Sequence, residues 1–286
     1  MHFLLLSVLF SVSVSILLKL ASRYQLDIRQ AIAINYAVAA GLAAWFLAPH
    51  PTALLDESIE VWMVLALLGT LLPAMFWVLA LAVKKTGMVK TDAAMRLSLL
   101  IPLLAAFTWF GETPSLFKLA GLVVGLVAIA LIVTKPSKQI TPRQGHWALL
   151  LLVLVGMGAI DILFKLVARQ GHVSFSSMLF MVFVLAALVS FVAMAVLYKR
   201  GKARWQFRHL LAGLLLGGFN FGNIFYYVLA HRALPHQPSL VFASMNIGVI
   251  VLATFVGFVF FRESLSRANR TGLAAAVVAI MVLALA

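Results

Sequence analysis

The chain has 286 residues, of which 64% are hydrophobic and only 10% are charged. A soluble globular protein of this size needs far more polar surface, so the composition predicts an integral membrane protein. The absence of cysteine excludes disulfides, thiolate metal sites and cysteine nucleophiles. The net charge of +14 is carried by short segments between apolar runs, which excludes a basic face that binds nucleic acid.

Ten apolar stretches are long enough to cross a bilayer, because about 20 helical residues span a hydrocarbon core of about 30 Å. Helices are expected because backbone groups in lipid must be hydrogen-bonded within the segment. The first stretch lacks the basic start and the cleavage site of a signal peptide, so we expect it to remain as a membrane helix. The stretches are 1–20, 31–48, 61–83, 91–110, 116–134, 147–168, 175–198, 209–230, 238–261 and 268–286.

Two pairs of matching segments indicate an internal duplication. An apolar run ends in Phe-x-Glu at Glu112 and again at Glu263, and a Gly nine residues after each Glu opens another apolar run. Near the start of each half, Leu-Leu-Lys-Leu around Lys19 matches Leu-Phe-Lys-Leu around Lys165. Both pairs are separated by about half the chain, so one duplicated unit explains both.

The duplication predicts a first five-helix repeat at 1–134, a polar linker with two prolines at 135–146 and a second five-helix repeat at 147–286. Because five is odd, the second repeat crosses the membrane in the opposite sense. We therefore expect an all-α integral membrane protein with ten transmembrane helices arranged as two inverted five-helix repeats. Secondary transporters of this architecture bind substrate near the midplane between the repeats.

The cations agree with this inversion. All but four of the 22 Lys and Arg residues fall in the loops after odd-numbered helices. The positive-inside rule assigns these loops to the cytoplasm and both termini to the outside. The four exceptions are Lys118, Lys165, Arg169 and Arg232.

The chain resembles the EamA family of the drug/metabolite transporter superfamily. The resemblance rests on the ten helices in two units and on the Glu step before the last helix of each unit, at Glu112 and Glu263, with Gly121 and Gly272 nine residues later. It implies a multi-pass protein of the cell membrane (bacterial inner membrane) that moves small metabolites, amino acids or drugs by alternating access. It also implies cytoplasmic termini, and here we follow the charge bias instead.

Ionisable residues inside membrane helices are candidates for ion coupling or gating, because an unpaired charge in lipid is costly. Asp161 is the only acid deep in a predicted helix, and Lys165 lies four residues later on the same face. Asp161 either neutralises Lys165 or takes up a proton that drives transport. Lys19 and Lys165 either anchor helix ends by snorkelling or gate the pathway.

The eighth predicted helix is the most polar of the ten. Asn220, Asn223 and Tyr227 share one of its faces and form a candidate wall of a substrate site, or a set of hydrogen bonds between helices. Arg96 is either a positive-inside anchor or a cation facing substrate. Further candidates for substrate contact are Asn35, Trp77 and Asn246.

No motif indicates an enzyme, a metal site, a cofactor or an ATP-driven pump. The expected function is a secondary active transporter of a small solute, working as a monomer or homodimer in the lipid bilayer, with protons as the candidate coupling ion. Two alternatives stay open: a flippase or scramblase for a lipid or another amphiphile, and a scaffold or receptor without transport.

Overall fold

The computed structural model describes residues 2–24, 26–133, 146–170, 172–201, 206–261 and 266–285. These residues form eleven α-helices and one 3-10 turn at Pro51–Leu54. The predicted linker lies outside the described residues except for His146, and Glu263 lies outside them too. The helices are α1 His2–Arg23, α2 Ile28–Leu47, α3 Ile59–Thr86, α4 Met88–Leu97, α5 Leu100–Thr108, α6 Leu116–Val133, α7 Trp147–Ala168, α8 His172–Lys199, α9 Phe207–Ala233, α10 Pro238–Phe261 and α11 Arg267–Leu285.

Each predicted stretch corresponds to one span of this fold. Within the described residues, nine spans are long and apolar enough to cross a membrane, and α6 is an apolar helix of slightly shorter length. The fourth span consists of α4 and α5 in succession. It is interrupted at Ser98 and Leu99, where the Ile101 amide bonds back to Ser98 over three residues. Pro102 has no amide hydrogen to donate to the Ser98 carbonyl, which accounts for the break.

Equivalent helices of the two halves run in opposite directions. The first turns of α6 pack on the end of α11, where a Cβ added at Gly121 would meet Leu283, and the amide of Asn269 at the start of α11 donates to Ile132 at the end of α6. In the same way, the His50 amide just beyond α2 bonds Ser177 near the start of α8, while Ala33 packs on Met194 near its end. The repeats are therefore inverted.

Glycines allow the central helices to approach closely. A Cβ at Gly213 or Gly217 of α9 would collide with α2, and one at Gly222 would collide with Phe10 of α1. Gly213 and Gly217, four residues apart, thus serve packing against α2, and Gly222 serves packing against α1. This packing fixes which polar residues of α9 face the centre.

The two ends of the fold are not equivalent. We call the end that holds the carboxyl terminus of α7 the Lys165 end, and the end that holds the carboxyl terminus of α1 the Lys19 end. At the Lys165 end, α7 packs directly on α9. The corresponding helices of the first half, α1 and α3, make no comparable contact within the described part of the chain.

Candidate functional site

The contact between α7 and α9 contains the only acid found deep in a described membrane span. Asp161 lies in the second half of α7, and the Tyr227 hydroxyl of α9 donates to its Oδ1 at 2.9 Å. The Tyr227 ring also packs edge-on against Phe164, one turn along α7. From the sequence, Asp161 is a candidate for ion coupling and Tyr227 a candidate for substrate contact. The fold brings the two side chains together.

Lys165 occupies the next turn of α7 and is 1% exposed. Its Nζ donates to the Pro235 carbonyl at 3.0 Å and approaches the His231 carbonyl at 3.5 Å. The ion pair between Asp161 and Lys165, one of the two alternatives that the sequence leaves open, is not formed in this state. Although both residues lie on one face of α7, each finds its partner on α9 or on the turn that follows it.

Glu112 closes the same end from the first half of the chain. The residue is 4% exposed, and its side chain accepts hydrogen bonds from the main-chain amide and the hydroxyl of Ser239, at 2.8 and 2.6 Å. Lys118 forms an ion pair with it at 3.0 Å. A carboxylate is stabilised there because Ser239 lies in the first turn of α10, where main-chain amides point out of the helix.

Arg232 completes the closure at the surface. Its guanidinium donates to the Gln170 carbonyl at 2.6 Å and lies over the ring of Phe175, 4.7 Å from the centroid. Arg169 similarly lies over Phe110 at 5.6 Å. The four cations that departed from the charge bias thus all lie at the Lys165 end. We call the set Glu112, Lys118, Lys165, Arg232 and Ser239 the clamp.

Several buried polar groups have no hydrogen-bond partner in the described part of the chain. Asn35 of α2 is fully buried and both polar atoms of its amide are unpaired. Its main chain lies against Gly217, and Asn220 follows one turn later on α9, 5% exposed and with an unpaired Nδ2. The Tyr36 and Ser244 hydroxyls are also unpaired. Buried groups of this kind normally have a partner, so these residues are candidates for contact with a polar molecule.

The remaining sequence candidates have other surroundings. The Ser7 hydroxyl donates to both the carbonyl and the side chain of Asn223, which links α1 to α9. Asn246 donates to the Phe242 carbonyl of its own helix. Arg96 pairs with Asp92 at 3.4 Å. Trp77 is about one-third exposed on α3, and Lys19 is exposed at the end of α1.

Comparison with known proteins agrees with this arrangement. Residues 1–134 match the family model described as the EamA-like transporter family. An uncharacterised protein of Haemophilus influenzae is 40% identical over 279 residues, which cover 96% of this chain and 94% of that protein. The chain belongs to the EamA-like transporter family. A crystal structure of a protein only 17% identical superposes with a TM-score of 0.73 over 99% of this chain and 96% of the other, which supports the fold alone.

One polar residue of this EamA-like protein was missed by sequence analysis. His231 is 1% exposed, both of its ring nitrogens are unpaired, and its ring lies edge-on against Tyr227 and Phe242. The predicted helix ended at residue 230, which put His231 in a loop, whereas α9 continues to Ala233. Its position four residues after Tyr227 is the signal that places it on the same face.

Proposed function

We propose that the protein is a secondary active transporter that moves a small polar metabolite, amino acid or drug-like solute across the cell membrane by alternating access. The observation that carries this proposal is the fully buried and wholly unpaired amide of Asn35, on the face of α2 that packs on α9 one turn from the buried Asn220. An amide offers both donors and an acceptor, so the complementary solute carries both as well, for example an amide or hydroxyl next to a carbonyl.

A charged solute is less well supported. The cations that sequence analysis considered for a binding site are engaged or peripheral: Arg96 pairs with Asp92, Lys165 bonds main-chain carbonyls and Lys19 is exposed. The unpaired groups of Asn35, Tyr36 and Asn220 are amides and a hydroxyl. The proposed substrate is therefore held by neutral hydrogen bonds within an apolar and aromatic wall.

Alternating access is supported by the difference between the two ends. The clamp closes the Lys165 end, whereas the Lys19 end lacks the corresponding packing in the described residues. Inverted repeats can exchange conformations, and the exchange would open the Lys165 end and bring α1 towards α3. In this scheme Lys165 and Lys19 gate opposite ends of one pathway, as equivalent residues of the two repeats.

Asp161 is the proposed site of proton coupling. The ionised carboxylate accepts the hydrogen bond of Tyr227 and thereby holds α7 on α9. Uptake of a proton removes the charge and weakens this bond, which favours separation of the two helices. Because the bond lies one turn from Lys165, its weakening also loosens the clamp.

The first experiment is a thermal-shift screen of purified protein against amino acids, nucleosides, sugars, organic cations and polyamines. A ligand of the folded state raises the melting temperature by mass action. Asn35→Ala and Asn220→Ala are expected to abolish the shift, while the control Asn246→Ala keeps it because Asn246 bonds its own helix. A shift that survives both substitutions excludes the proposed site.

Coupling is tested in proteoliposomes with the solute found in that screen. An imposed pH gradient should accelerate solute uptake by the natural protein. In Asp161→Asn this acceleration is expected to be at least tenfold smaller, while exchange of internal for external solute continues. Full retention of gradient dependence overturns the role of Asp161 but leaves the binding site standing. Loss of both activities, with the ligand-dependent thermal shift also absent, contradicts the transport proposal.

The alternative of a lipid or amphiphile flippase requires a groove that crosses the membrane. A large apolar pocket lies between α1, α2 and α9, but its lining is confined to the half of these helices nearest the Lys19 end. A dithionite assay with fluorescent phospholipid decides the matter: scrambling that depends on the protein favours the alternative, and unchanged leaflet asymmetry favours solute transport.

A further inference from the structure

The pocket at the Lys19 end has the form of a binding site of its own. It has a volume of about 340 Å³ and lies between the last turns of α1, the start of α2 and the first turns of α9. This volume is within the usual range for small-ligand sites. Its lining includes Tyr24 after α1 and Arg208, Leu211, Ala212 and Leu215 of α9.

A set of polar residues, which we call the lock, joins two walls of the pocket; it consists of Asp27, Gln30, Gln206 and His209. Gln30 of α2 and Gln206 before α9 exchange reciprocal hydrogen bonds, each of 3.1 Å, between side chain and main chain. His209 bridges the two segments, since one ring nitrogen lies 3.0 Å from Gln30 Oε1 and the other accepts from the Asp27 amide at 3.2 Å. Asp27 and Gln30, at the start of α2, are thereby tied to the start of α9, so two walls of the pocket are held together.

The pocket faces the bilayer. Leu211 and Leu215 line it and are about half exposed, and exposed apolar surfaces of membrane helices contact lipid chains. Apart from Arg208 and the Tyr24 hydroxyl, all the lining side chains are hydrocarbon. A water-soluble ligand would lose its hydrogen bonds in such a chamber, whereas an acyl chain loses none.

The rim supplies one oriented positive charge. Arg208 lies at the first turn of α9, and its Nε donates to Gln206 Oε1 at 2.8 Å, which orients the guanidinium. The side chain as a whole is exposed at the end of the molecule where most of the Lys and Arg residues lie. A guanidinium at the level of the headgroups binds phosphate. It favours lipids whose headgroup carries no positive charge of its own to balance that phosphate.

We infer that this pocket holds an anionic phospholipid, with one acyl chain between α1, α2 and α9 and its phosphate on Arg208. The lipid fills space that the protein leaves open between helices at the Lys19 end. It is a resident ligand rather than cargo, because the pocket is restricted to one half of the membrane. The inference is independent of the identity of the transported solute.

The test compares phosphatidylglycerol with phosphatidylcholine of identical chains, added to delipidated protein in detergent, with melting temperature and native mass spectrometry as readouts. Phosphatidylglycerol is expected to bind more tightly and to give the larger stabilisation. Arg208→Gln should weaken phosphatidylglycerol binding by about fivefold, the value of one cation near an anionic headgroup. Arg200→Gln, an exposed cation outside the pocket, is the matched control and should change little.

A second variant tests the chamber. Ala212→Phe fills the pocket and should prevent stabilisation by either lipid, whereas Ala274→Phe on the exposed face of α11 should not. Equal stabilisation of the natural protein by the two lipids overturns the inference, as does an unchanged lipid preference in Arg208→Gln. Because Arg208 is exposed, its substitution tests the site even if Ala212→Phe fails to fold.

Discussion

The two lysines of the repeated Leu-x-Lys-Leu segment have opposite surroundings. Lys165 is 1% exposed and donates to carbonyls at the end of α9, whereas Lys19 is exposed at the end of α1. The helices that carry them repeat the contrast, since α7 packs on α9 and α1 has no comparable contact with α3 in the described residues. Local sequence therefore does not decide which lysine is buried.

Under the proposed alternating access, such a difference between equivalent positions describes one conformation of the transport cycle. The Lys165 end is held together by buried charged side chains. Leaving one of them unpaired within the membrane costs much free energy. The Lys19 end is held by a smaller polar lock around Asp27, Gln30 and His209. We therefore expect substitutions at the two ends to differ both in size and in kind.

The largest effect is expected at Glu112. Glu112→Gln leaves Lys118 buried without its counter-ion and weakens the bonds to Ser239. Loss of one member of a buried ion pair costs about 3 kcal/mol of unfolding free energy. Denaturant titration in detergent should reveal this loss, with exposed Glu60→Gln as the control. The double variant Glu112→Gln/Lys118→Met is expected to recover part of the lost unfolding free energy. A denaturant titration of Glu112→Gln identical to that of the natural protein would contradict the assigned ion pair.

A smaller but more specific effect is expected from Lys165→Ala. The natural chain has no cysteine, so Ser244→Cys introduces a single reporter two turns into α10, buried below the clamp. Removal of Lys165 should favour opening of this end and accelerate labelling by a membrane-impermeant maleimide about tenfold, equivalent to about 1.4 kcal/mol.

Lys19→Ala is the matched control for this labelling, because it removes the equivalent lysine from the other end. It should leave the labelling rate of Ser244→Cys unchanged or lower it. If both lysine substitutions accelerate labelling equally, the two ends do not alternate. Equal and slow labelling in all backgrounds would show that Lys165 does not hold the clamp.

The spans and their inversion were predictable because both depend on simple quantities. Apolar length defined each span, and an odd number of helices per unit together with the charge bias gave the opposite crossing directions. The repeat boundaries at 134 and 147 stay a prediction. The break in the fourth span at Ser98 follows from Pro102, because proline removes a helical hydrogen bond.

The partners of the polar residues were not predictable, because they depend on how helices are rotated and where they end. Asp161 bonds Tyr227 rather than Lys165 only because α7 presents that face to α9. His231 escaped notice because α9 extends three residues further than its apolar pattern. Asn246 has the same amide as Asn35, yet it bonds its own helix, and no sequence signal separates the two.

The smallest effect is expected at Asp27, in the lock of the Lys19 end. Burial alone would raise the pKa of Asp27, but hydrogen bonds from Arg29, together with the charges of Arg29 and His209, outweigh it and hold the pKa below its ordinary value. The resulting stabilisation is complete above the ordinary carboxyl pKa of about 4 and is lost as the pH falls through the lower folded value.

Asp27→Asn should therefore cost less than about 1 kcal/mol, since an amide still caps α2 and the pair with Arg29 is partly exposed. The difference in melting temperature from the natural protein should be constant between pH 8 and pH 5 and should shrink only below about pH 4. A difference that instead disappears near pH 6 would assign the lock to the titration of His209, and one as large as that of Glu112→Gln would remove the contrast between the two ends.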